Sequence, residues 1–514
     1  MKPQYLIGVD LGTSATKAAI YKTDGTLVVV AGMEIPLYYP KPGVVEQEND
    51  DFYNSAAQMV KRCLRESGID PRQVAAIAFD SQMAGIGSVD EDFRPATRFD
   101  SWLDMRCQPY IEQMQQHGDL VTRLTGCAPT CDHGPKILWW KNERPEEYAR
   151  IAKFVTPAGY VAGKMVGLRG EQAFMDYTFI HFSGLVDAVA GKWSPELADL
   201  FGVSLDKLPE IVEPWRLVGE ISAQAAADFG LAQGTPVAAG AGDTAAAALG
   251  AGVVRPGMLL DVAGTAAVLA GCTDQHVADV KHRALLTMRS IIPSLWNPLA
   301  YIAGGGLALR WFRDQFYNTN RGIKLVLDED LYEQMTALAN EAPPGCNGLY
   351  FSPHLGGRIC PSDSAMRGAW IGFSWGHTQA HFLRSILEGV AFEYAYYLTI
   401  LKEQIPDLRL LEAHAVGGGA RSKVWNQIKA DVLGVTYRRL ERDELGTWGS
   451  AMIAGKAAGV YDDLASIALE AARVAPEAFG PQPEQVGLYT PLVKKYVHIE
   501  NMLGDTFKYL SLED

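Results

Sequence analysis

The sequence predicts an α/β protein built from two related halves, and three observations lead to this prediction. The chain has 514 residues, which at about 100–200 residues per domain is enough for two large domains. Apolar strand-like runs alternate with helix-like runs. A Gly-Thr turn between two apolar strands occurs twice, at Gly12-Thr13 and at Gly264-Thr265, and the halves would meet near residue 254. A chance coincidence of two such hairpins is the alternative.

Antiparallel strands open the first half. Asp24-Gly25 is typical of a hairpin turn. Asn49 or Asp50 would cap a helix whose apolar residues recur on one face, and Gly68 would end it. The strands predicted in this half are 5–9, 15–21, 27–31 and 74–79. Together these elements contain a strand–helix–strand unit.

The second half begins after residues 255–257, Arg-Pro-Gly, which are typical of a linker. Its strands are predicted at 258–262, 267–270 and 410–416. The last strand runs into a glycine triplet, and Ser422 would cap a helix that ends at Leu433, before Gly434. At such a junction the polar head of a ligand can approach the backbone.

Composition and charge exclude several classes of function. The chain has 46 Lys and Arg against 60 Asp and Glu, a net charge of −14, which argues against a surface for nucleic acid or an anionic membrane. Seven scattered cysteines are expected to be free thiols in a reducing compartment, and Cys127, Cys131 and His133 lack the usual spacing of a zinc site. The longest uncharged stretch, 290–309, contains prolines and glycines and predicts strands and turns. We therefore expect a soluble, cytoplasmic protein.

The two Gly-Thr hairpins are candidates for a phosphate clasp. Glycine lets the backbone approach a phosphate, and threonine offers both an amide and a hydroxyl. Two such hairpins from two domains could hold a polyphosphate between them, with Asp10 at the mouth of the first placed to hold Mg²⁺ through water. Neither turn is a Walker A loop, because the chain has no GxxxxGK[ST] motif. The alternative is a pair of ordinary turns.

Three further segments carry polar residues in settings typical of ligand sites. Asp243 lies between a glycine-rich turn and an alanine-rich helix, where it would act as a general base or only as a helix cap. The segment 80–85 follows a buried strand, and ligands of α/β sheets bind beyond the carboxyl ends of strands. Trp102, Asp104 and Arg106 combine an aromatic ring with two charges, a mixture found in sugar sites. The alternative is a core tryptophan beside a surface ion pair.

Taken together, these segments resemble the FGGY family of carbohydrate kinases over essentially the whole chain. The motifs are GVDLGTSATK at 8–17, GAGDTAAA at 240–247, AGTAAV at 263–268, AGGGLALRWFRD at 303–314, GAWIGFSWGHTQAHFLRSILEG at 368–389 and GGGARSKVWNQIKAD at 417–431. The resemblance implies an α/β fold of two actin-like, ribonuclease-H-like domains, over 1–254 and 255–514, with a cleft between them. It also implies ATP-dependent phosphorylation of a small sugar on a primary hydroxyl.

The resemblance implies a role for each matched position. Asp243 would be the catalytic base, and Asp10 would hold Mg²⁺. The positions implied at ATP are Thr13, Ser14, Lys17, Thr265, Gly306, Arg310, Gly418, Ser422 and Asn426. The positions implied at the sugar are Gln82, Met83, Trp102 and Asp104.

The acceptor is less closely defined than the reaction. Residues 82–85 read Gln-Met-Ala-Gly, where xylulokinases carry Gln-Met-His-Gly and glycerol kinases carry Gln-Arg-Glu-Thr. The Trp-x-Asp-x-Arg form at 102–106 favours pentulose kinases, so the expected acceptor is a ketopentose such as D-xylulose. The alternatives are a polyol or glycerol-type kinase and a non-kinase actin-like ATPase. The expected partners are the sugar and MgATP, without nucleic acid or membrane; a homodimer stays open.

Overall fold

The computed structural model describes residues 4–317 and 328–511. Two seven-stranded β-sheets form its framework. The strands of the first sheet are β1 (Tyr5–Leu11), β2 (Ala15–Lys22), β3 (Leu27–Glu34), β4 (Val74–Ser81), β5 (Leu217–Glu220), β6 (Pro236–Ala238) and β7 (Ala241–Gly242). Those of the second are β8 (Leu259–Ala263), β9 (Ala267–Gly271), β10 (Leu286–Arg289), β11 (Trp296–Ile302), β12 (Glu412–Val416), β13 (Thr436–Leu440) and β14 (Val474–Phe479).

Both sheets have the same arrangement at their centre, an antiparallel hairpin beside a parallel strand. In the first sheet β1 pairs antiparallel with β2 and parallel with β4. In the second, β8 pairs antiparallel with β9 and parallel with β12. All eight residues of β4 are buried, as expected for a strand covered on both faces. The two Gly-Thr turns of the sequence therefore mark two sheets with one central topology.

Helices pack on both sheets. Those that bear on the site are α1 (Asn49–Ser67), α2 (His133–Glu143), α3 (Asp243–Gly250), α4 (Gly305–Phe312), α5 (Gln379–Gln404), α6 (Lys423–Leu433), α7 (Leu445–Ala457) and α8 (Pro483–Leu510). The others described are Gln108–Gln115, Gly118–Thr125, Pro145–Arg150, Pro157–Val166, Pro195–Phe201, Ala223–Phe229, Asp328–Ala339 and Leu464–Ala471. None of these helices has both the length and the apolar character that a membrane span needs.

Short strands complete the described structure. A four-stranded sheet contains Glu46–Gln47, Pro95–Asp100, Ile86–Val89 and Lys153–Val155. Three two-stranded sheets pair Val186–Asp187 with Lys192–Trp193, Phe174–Asp176 with Glu210–Val212, and Tyr350–Ser352 with Ala369–Ile371. The four-stranded sheet carries the segment around Trp102, because its strand Pro95–Asp100 ends two residues before that side chain.

Helix α7 belongs to the second half of the chain but packs directly on the first sheet. A Cβ at Gly8 of β1 would lie 1.8 Å from the carbonyl oxygen of Thr447, so only glycine lets the helix approach the strand this closely. The fully buried Trp448 lies 5.0 Å from the ring of Tyr21 on β2. The N-terminus of α7 thereby reaches the first Gly-Thr hairpin. A domain boundary between residues 254 and 255 stays a prediction.

The sequence predictions differ from the structure mainly at element ends. Helix α6 is confirmed: the Ser422 hydroxyl accepts a hydrogen bond from the Trp425 amide, and Gly434 ends the helix with φ of 66°. Helix α1 begins at Asn49 and has no side-chain cap, so the predicted capping by Asn49 or Asp50 was wrong. The side-chain Nδ2 of Asn49 instead donates a hydrogen bond to the backbone carbonyl oxygen of Thr97, at 2.8 Å. Helix α4 starts within the stretch 290–309, which was predicted to contain only strands and turns.

Candidate active site

Three aspartates lie close together at the carboxyl end of the first sheet. Asp10 on β1 is in register with Asp80 on β4, and Asp80 is in register with Ala241, two residues before Asp243. Burial, together with the charge of the neighbouring Asp243, raises the pKa of Asp10 to about 7. Burial also raises the pKa of Asp80 well above its usual range, and the charge of Asp10 adds to this. This edge of the sheet therefore concentrates carboxylates with little solvent to stabilise their charge.

Asp243 is the first residue of α3, directly after the short strand β7. Its Oδ1 accepts hydrogen bonds from the amide and the hydroxyl of Thr244, at 2.5 and 3.0 Å. Within 4–317 and 328–511, no hydrogen bond reaches its Oδ2. Burial raises the pKa of Asp243 to about 6, although the bonds from Thr244 lower it. A carboxylate with one fixed and one open oxygen, and a pKa near neutrality, has the properties of a general base.

The first Gly-Thr hairpin, between β1 and β2, is held by side chains. Trp102 Nε1 donates to the Thr13 hydroxyl at 2.8 Å, and that hydroxyl lies 3.4 Å from Gln82 Oε1. Gln47 Nε2 donates to the carbonyl oxygen of Thr13 at 3.1 Å. Gln82 Nε2 in turn donates to Gln47 Oε1 at 2.8 Å. Gln82 and Trp102 therefore fix the hairpin from the side on which the sugar was expected, while Ser14 is exposed at its tip.

Lys17 extends from β2 and forms an ion pair with a residue distant in sequence. Its Nζ lies 3.1 Å from each carboxylate oxygen of Glu444, the residue before α7. The Lys17 side chain remains 45% exposed and that of Glu444 23% exposed. The ammonium is thus held at the mouth of the hairpin, where a phosphate could still approach it.

The second Gly-Thr hairpin, between β8 and β9, is held by backbone alone among the described residues. The amides of Gly306 and Leu307 donate to the carbonyls of Gly264 and Thr265, at 3.1 and 2.9 Å. The Thr265 side chain is exposed. A Cβ at Gly306 would lie 2.3 Å from the Gly264 carbonyl oxygen, so this glycine is required for α4 to start against the hairpin. Arg310, one turn further along α4, is mostly exposed, and its Nε lies 3.9 Å from Asp314 Oδ2.

The glycine triplet after β12 contains one residue with open space beside it, and the residues that follow form a hydrogen-bonded loop. A Cβ at Gly418 would meet nothing within 4 Å, so the backbone there is open to a ligand. The Ser422 hydroxyl is occupied as the cap of α6. Asn426 is buried and donates from Nδ2 to the carbonyl of Ala420 at 2.8 Å. Ser422 and Asn426 therefore shape this loop, and Gly418 offers the open surface.

Met83 and Trp102 form part of the wall of the site. The Met83 side chain packs on Gly242, where an added Cβ would lie 2.6 Å from Met83 Cε. This places the thioether one residue from Asp243. The Trp102 ring meets Tyr301 of β11 edge to face, with 6.3 Å between ring centroids. An aromatic pair thus joins the two halves beside the first hairpin.

The prediction that Asp104 faces a sugar is not supported by its surroundings. Asp104 is fully buried, and its Oδ2 accepts a hydrogen bond from the amide of Val45 at 2.7 Å. The Arg106 guanidinium donates to both carboxylate oxygens, at 2.7 to 2.9 Å, and also to Glu46 at 2.6 Å. Both oxygens of Asp104 are therefore occupied, by Arg106 of its own loop and by the amide of Val45 from another segment. The carboxylate links these two segments.

Several residues at the site had no role in the sequence reasoning. The sequence indicates Asp80 only as part of the segment 80–85. In the structure Asp80 is fully buried and accepts a hydrogen bond from Ser450 of α7 at 2.7 Å. Glu444 and Tyr301 gave no local signal. Their positions follow from the packing of the second half on the first, which no pattern in either segment reveals.

A second buried charged cluster lies away from the hairpins. His354 Nε2 is 2.5 Å from Glu393 and 3.6 Å from Glu500 of α8. The Arg358 guanidinium lies 3.1 Å from Glu393. Burial and the charge of the neighbouring Glu393 raise the pKa of Glu500 to about 7, so protonation of this carboxyl reduces the negative charge of the cluster near neutral pH. Its contacts join α8 to α5, which is a structural role.

Comparison with known proteins gives the class of protein to which this fold belongs. The N-terminal-domain model of the FGGY family of carbohydrate kinases matches residues 5–250, and the C-terminal-domain model of the same family matches residues 259–458. The chain belongs to the FGGY family of carbohydrate kinases. It is therefore an ATP-using phosphotransferase with an alcohol group as acceptor, and the predicted actin-like, ribonuclease-H-like fold is confirmed.

Its relatives include kinases for more than one acceptor. Xylulose kinase of Bacillus subtilis is 28% identical over 499 residues, which is 96% of each chain. Gluconokinase of the same organism is 26% identical over 468 residues, covering 90% of this chain and 89% of the relative. The structure of xylulose kinase from Rhodospirillum rubrum has a TM-score of 0.88 at 26% identity and covers 98% of this chain and 100% of that one.

Proposed function

We propose that this kinase phosphorylates a ketopentose, with D-xylulose as the first candidate, on a terminal primary hydroxyl. The observation that carries the proposal is the half-buried Asp243 carboxylate, which keeps one oxygen free of hydrogen bonds to the described residues and directly follows Gly242, on which Met83 packs. The similarity to xylulose kinases over 96% of the chain supports the acceptor. The pair Trp102 and Tyr301 supplies an apolar wall, which suits the carbon chain of a small sugar.

The phosphate groups of ATP would be held by the two hairpins from opposite sides. Thr13, Ser14 and Lys17 would contact them from the first half, and Thr265 from the second. Gly306 and Arg310 would approach the nucleotide from α4. Gly418 would border the adenine, with Ser422 and Asn426 as the scaffold of its loop.

Mg²⁺ fits the carboxylate edge of the first sheet. Asp10 lies there with Asp80 and Asp243, and the three form an excess of buried negative charge that a divalent cation would relieve. Asp10 is the residue proposed to hold the ion, through water or directly. When bound, Mg²⁺ neutralises charge on the phosphates of ATP.

The transfer itself requires positioning and one proton acceptor. Asp243 would orient the primary hydroxyl of the sugar through its open Oδ2. The hydroxyl oxygen forms a bond to the γ-phosphorus, the bond from that phosphorus to the ADP oxygen breaks, and the hydroxyl proton moves to Asp243. Phosphoryl transfer passes through a loose transition state, so alignment and charge neutralisation supply most of the catalysis.

An acceptor panel tests the proposal. ADP formation with MgATP would be measured for D-xylulose, L-xylulose, D-gluconate, a pentitol and glycerol, with thermal shift as a check on binding. We expect D-xylulose to give the highest kcat/KM, with phosphate on a terminal carbon. Gluconate or glycerol as the best substrate would contradict the pentulose assignment. ADP release that no acceptor stimulates would point instead to a non-kinase ATPase.

Ala84 offers a second test of the acceptor. It is partly exposed beside Met83 and has a left-handed φ of 60°, a conformation in which histidine is among the better tolerated residues. With D-xylulose as substrate, Ala84→His should improve kcat/KM or leave it nearly unchanged, because one added hydrogen bond is worth about 0.5–1.5 kcal/mol. A sharp fall with every pentulose would show that the natural acceptor needs the space.

A further inference from the structure

Glu444 connects the second half of the chain to the phosphate hairpin of the first. It directly precedes α7, and both of its carboxylate oxygens lie 3.1 Å from Lys17 Nζ. The helix that carries it is anchored nearby, because the hydroxyl of Tyr21 lies 2.8 Å from that of Thr447 and 3.4 Å from the Glu444 carbonyl. The position of Glu444 relative to Lys17 is therefore set by packing and does not depend on a flexible surface contact.

Two acidic residues lie next to Lys17. Asp10 is its cross-strand partner on β1, and Glu444 forms the direct ion pair. A phosphate oxygen that approaches the Lys17 ammonium meets the Glu444 carboxylate at the same nitrogen. Two anions on one ammonium repel each other, so the phosphate must share or displace Glu444.

We propose that Glu444 is a positioning residue that holds Lys17 in the absence of nucleotide and competes with the nucleotide phosphates for it. The proposal rests on the assignment of Lys17 to the phosphates under the proposed function. Its consequence is weaker nucleotide binding than Lys17 alone would give, and hence faster loss of ADP after transfer. Glu444 would thus weaken the binding of nucleotide and speed the release of ADP.

A double-mutant cycle tests this coupling. The Kd values of ATP and ADP, both with Mg²⁺, would be measured by calorimetry for the full-length protein and for Glu444→Gln, Lys17→Met and the double variant. Glu444→Gln keeps the side-chain size and removes the charge, so both Kd values should fall about two- to fivefold, the range of a partly exposed ion pair. Lys17→Met should raise them. In the Lys17→Met background, Glu444→Gln should have no effect.

Controls separate this role from a structural one. Glu66→Gln makes the same change of net charge at an exposed ion pair with Arg62 on α1 and should leave the nucleotide Kd unchanged. Glu444→Gln should keep Tm and the KM of the sugar near their original values, because only the nucleotide side is involved. Glu444→Asp retains the charge, so its nucleotide Kd should stay closer to that of the unmodified protein.

The possible failures are distinguishable. If Lys17→Met leaves the Kd of ATP unchanged, the assignment of Lys17 to the phosphates is wrong, and the role of Glu444 falls with it. If Lys17→Met weakens binding but Glu444→Gln does not tighten it, only the competition by Glu444 is overturned. Equal tightening in both backgrounds would also overturn it, because the effect would then not pass through Lys17.

Discussion

The two Gly-Thr hairpins have the same sequence signature and the same place in their sheets, but they are held in different ways. The Thr13 hydroxyl is bonded to Trp102 and its carbonyl to Gln47. The Thr265 side chain is exposed, and only its backbone and that of Gly264 are bonded to α4. The first hairpin is thus fixed before a ligand arrives, whereas the second presents a side chain that makes no hydrogen bond to the part of the chain that the structure describes.

This difference indicates a division of labour. The first hairpin follows the strand that carries Asp10, in register with Asp80 and near Asp243, where the transferred group would be aligned under the proposed function. Alignment benefits from side chains that are already in place, because no ordering is then needed during the reaction. The second hairpin packs against the start of α4 and, under the proposed function, would take up a phosphate with its exposed threonine. The predictions below test this division, from the largest expected effect to the smallest.

Asp243→Asn should slow phosphoryl transfer strongly and leave the binding of sugar and nucleotide nearly unchanged. Asparagine keeps the size and the contact with Thr244 but cannot accept a proton at neutral pH. We expect kcat to fall by about 10²–10⁴, the usual effect of losing a general base, with the Kd of ATP and the Tm nearly unchanged. Steady-state kinetics and calorimetry measure both. A kcat close to that of the unmodified enzyme would show that Asp243 is not the base.

Thr265→Val tests the second Gly-Thr hairpin, whose threonine side chain is exposed. Valine has nearly the same shape but no hydroxyl, and a hydrogen bond to a charged group is worth about 1.5–3 kcal/mol. The Kd of an ATP analogue with Mg²⁺ should therefore rise about ten- to a hundredfold at unchanged Tm. The stability should not respond, since no bond of this side chain is lost. An unchanged Kd would mean that the second hairpin is not a phosphate loop.

Trp102→Phe tests the first Gly-Thr hairpin, whose threonine hydroxyl is bonded to Trp102. It keeps an aromatic ring against Tyr301 but removes the Nε1 donor to Thr13. A neutral hydrogen bond is worth about 0.5–1.5 kcal/mol net, so we expect a two- to tenfold loss of kcat/KM and a small loss of Tm. Thr13→Val removes the same bond and, under the proposed function, a phosphate contact as well, so it should lose more than Trp102→Phe, and the double variant should lose little more than Thr13→Val alone. Fully additive losses would argue against that coupling.

A separate prediction concerns stability in acid. Burial lowers the pKa of His181 from 6.5 to about 3, so the unfolded chain takes up its proton below about pH 6.5 while the folded chain does not. Its contribution to stability is complete above that pH and is lost as the pH falls from about 6.5 towards 3. His181→Phe, with Phe182 in ring contact, should make Tm less dependent on pH in this range. An unchanged slope would show that His181 does not titrate in this way.

The sequence predicted the elements with a local signature and missed those set by packing. Ser422 and Gly434 bound α6 as expected, because capping chemistry is local. Both Gly-Thr turns and Asp243 were recognised for the same reason. The burial of Asp104 was not predictable, since the same Trp-x-Asp-x-Arg pattern suits a sugar site and an internal ion pair. Glu444 lies more than 400 residues from Lys17 along the chain, so only the packing of α7 on the first sheet could reveal their contact.

The central claim is that both hairpins hold the phosphates of one nucleotide while Asp243 faces the group to be transferred. A crystal structure of the full chain with Mg²⁺ and a non-hydrolysable ATP analogue tests it most directly. The account predicts phosphate oxygens within hydrogen-bond distance of both Thr13 and Thr265, with the γ-phosphate on the side of Asp243. A nucleotide whose phosphates contact only one hairpin, or whose γ-phosphate lies away from Asp243, would contradict it.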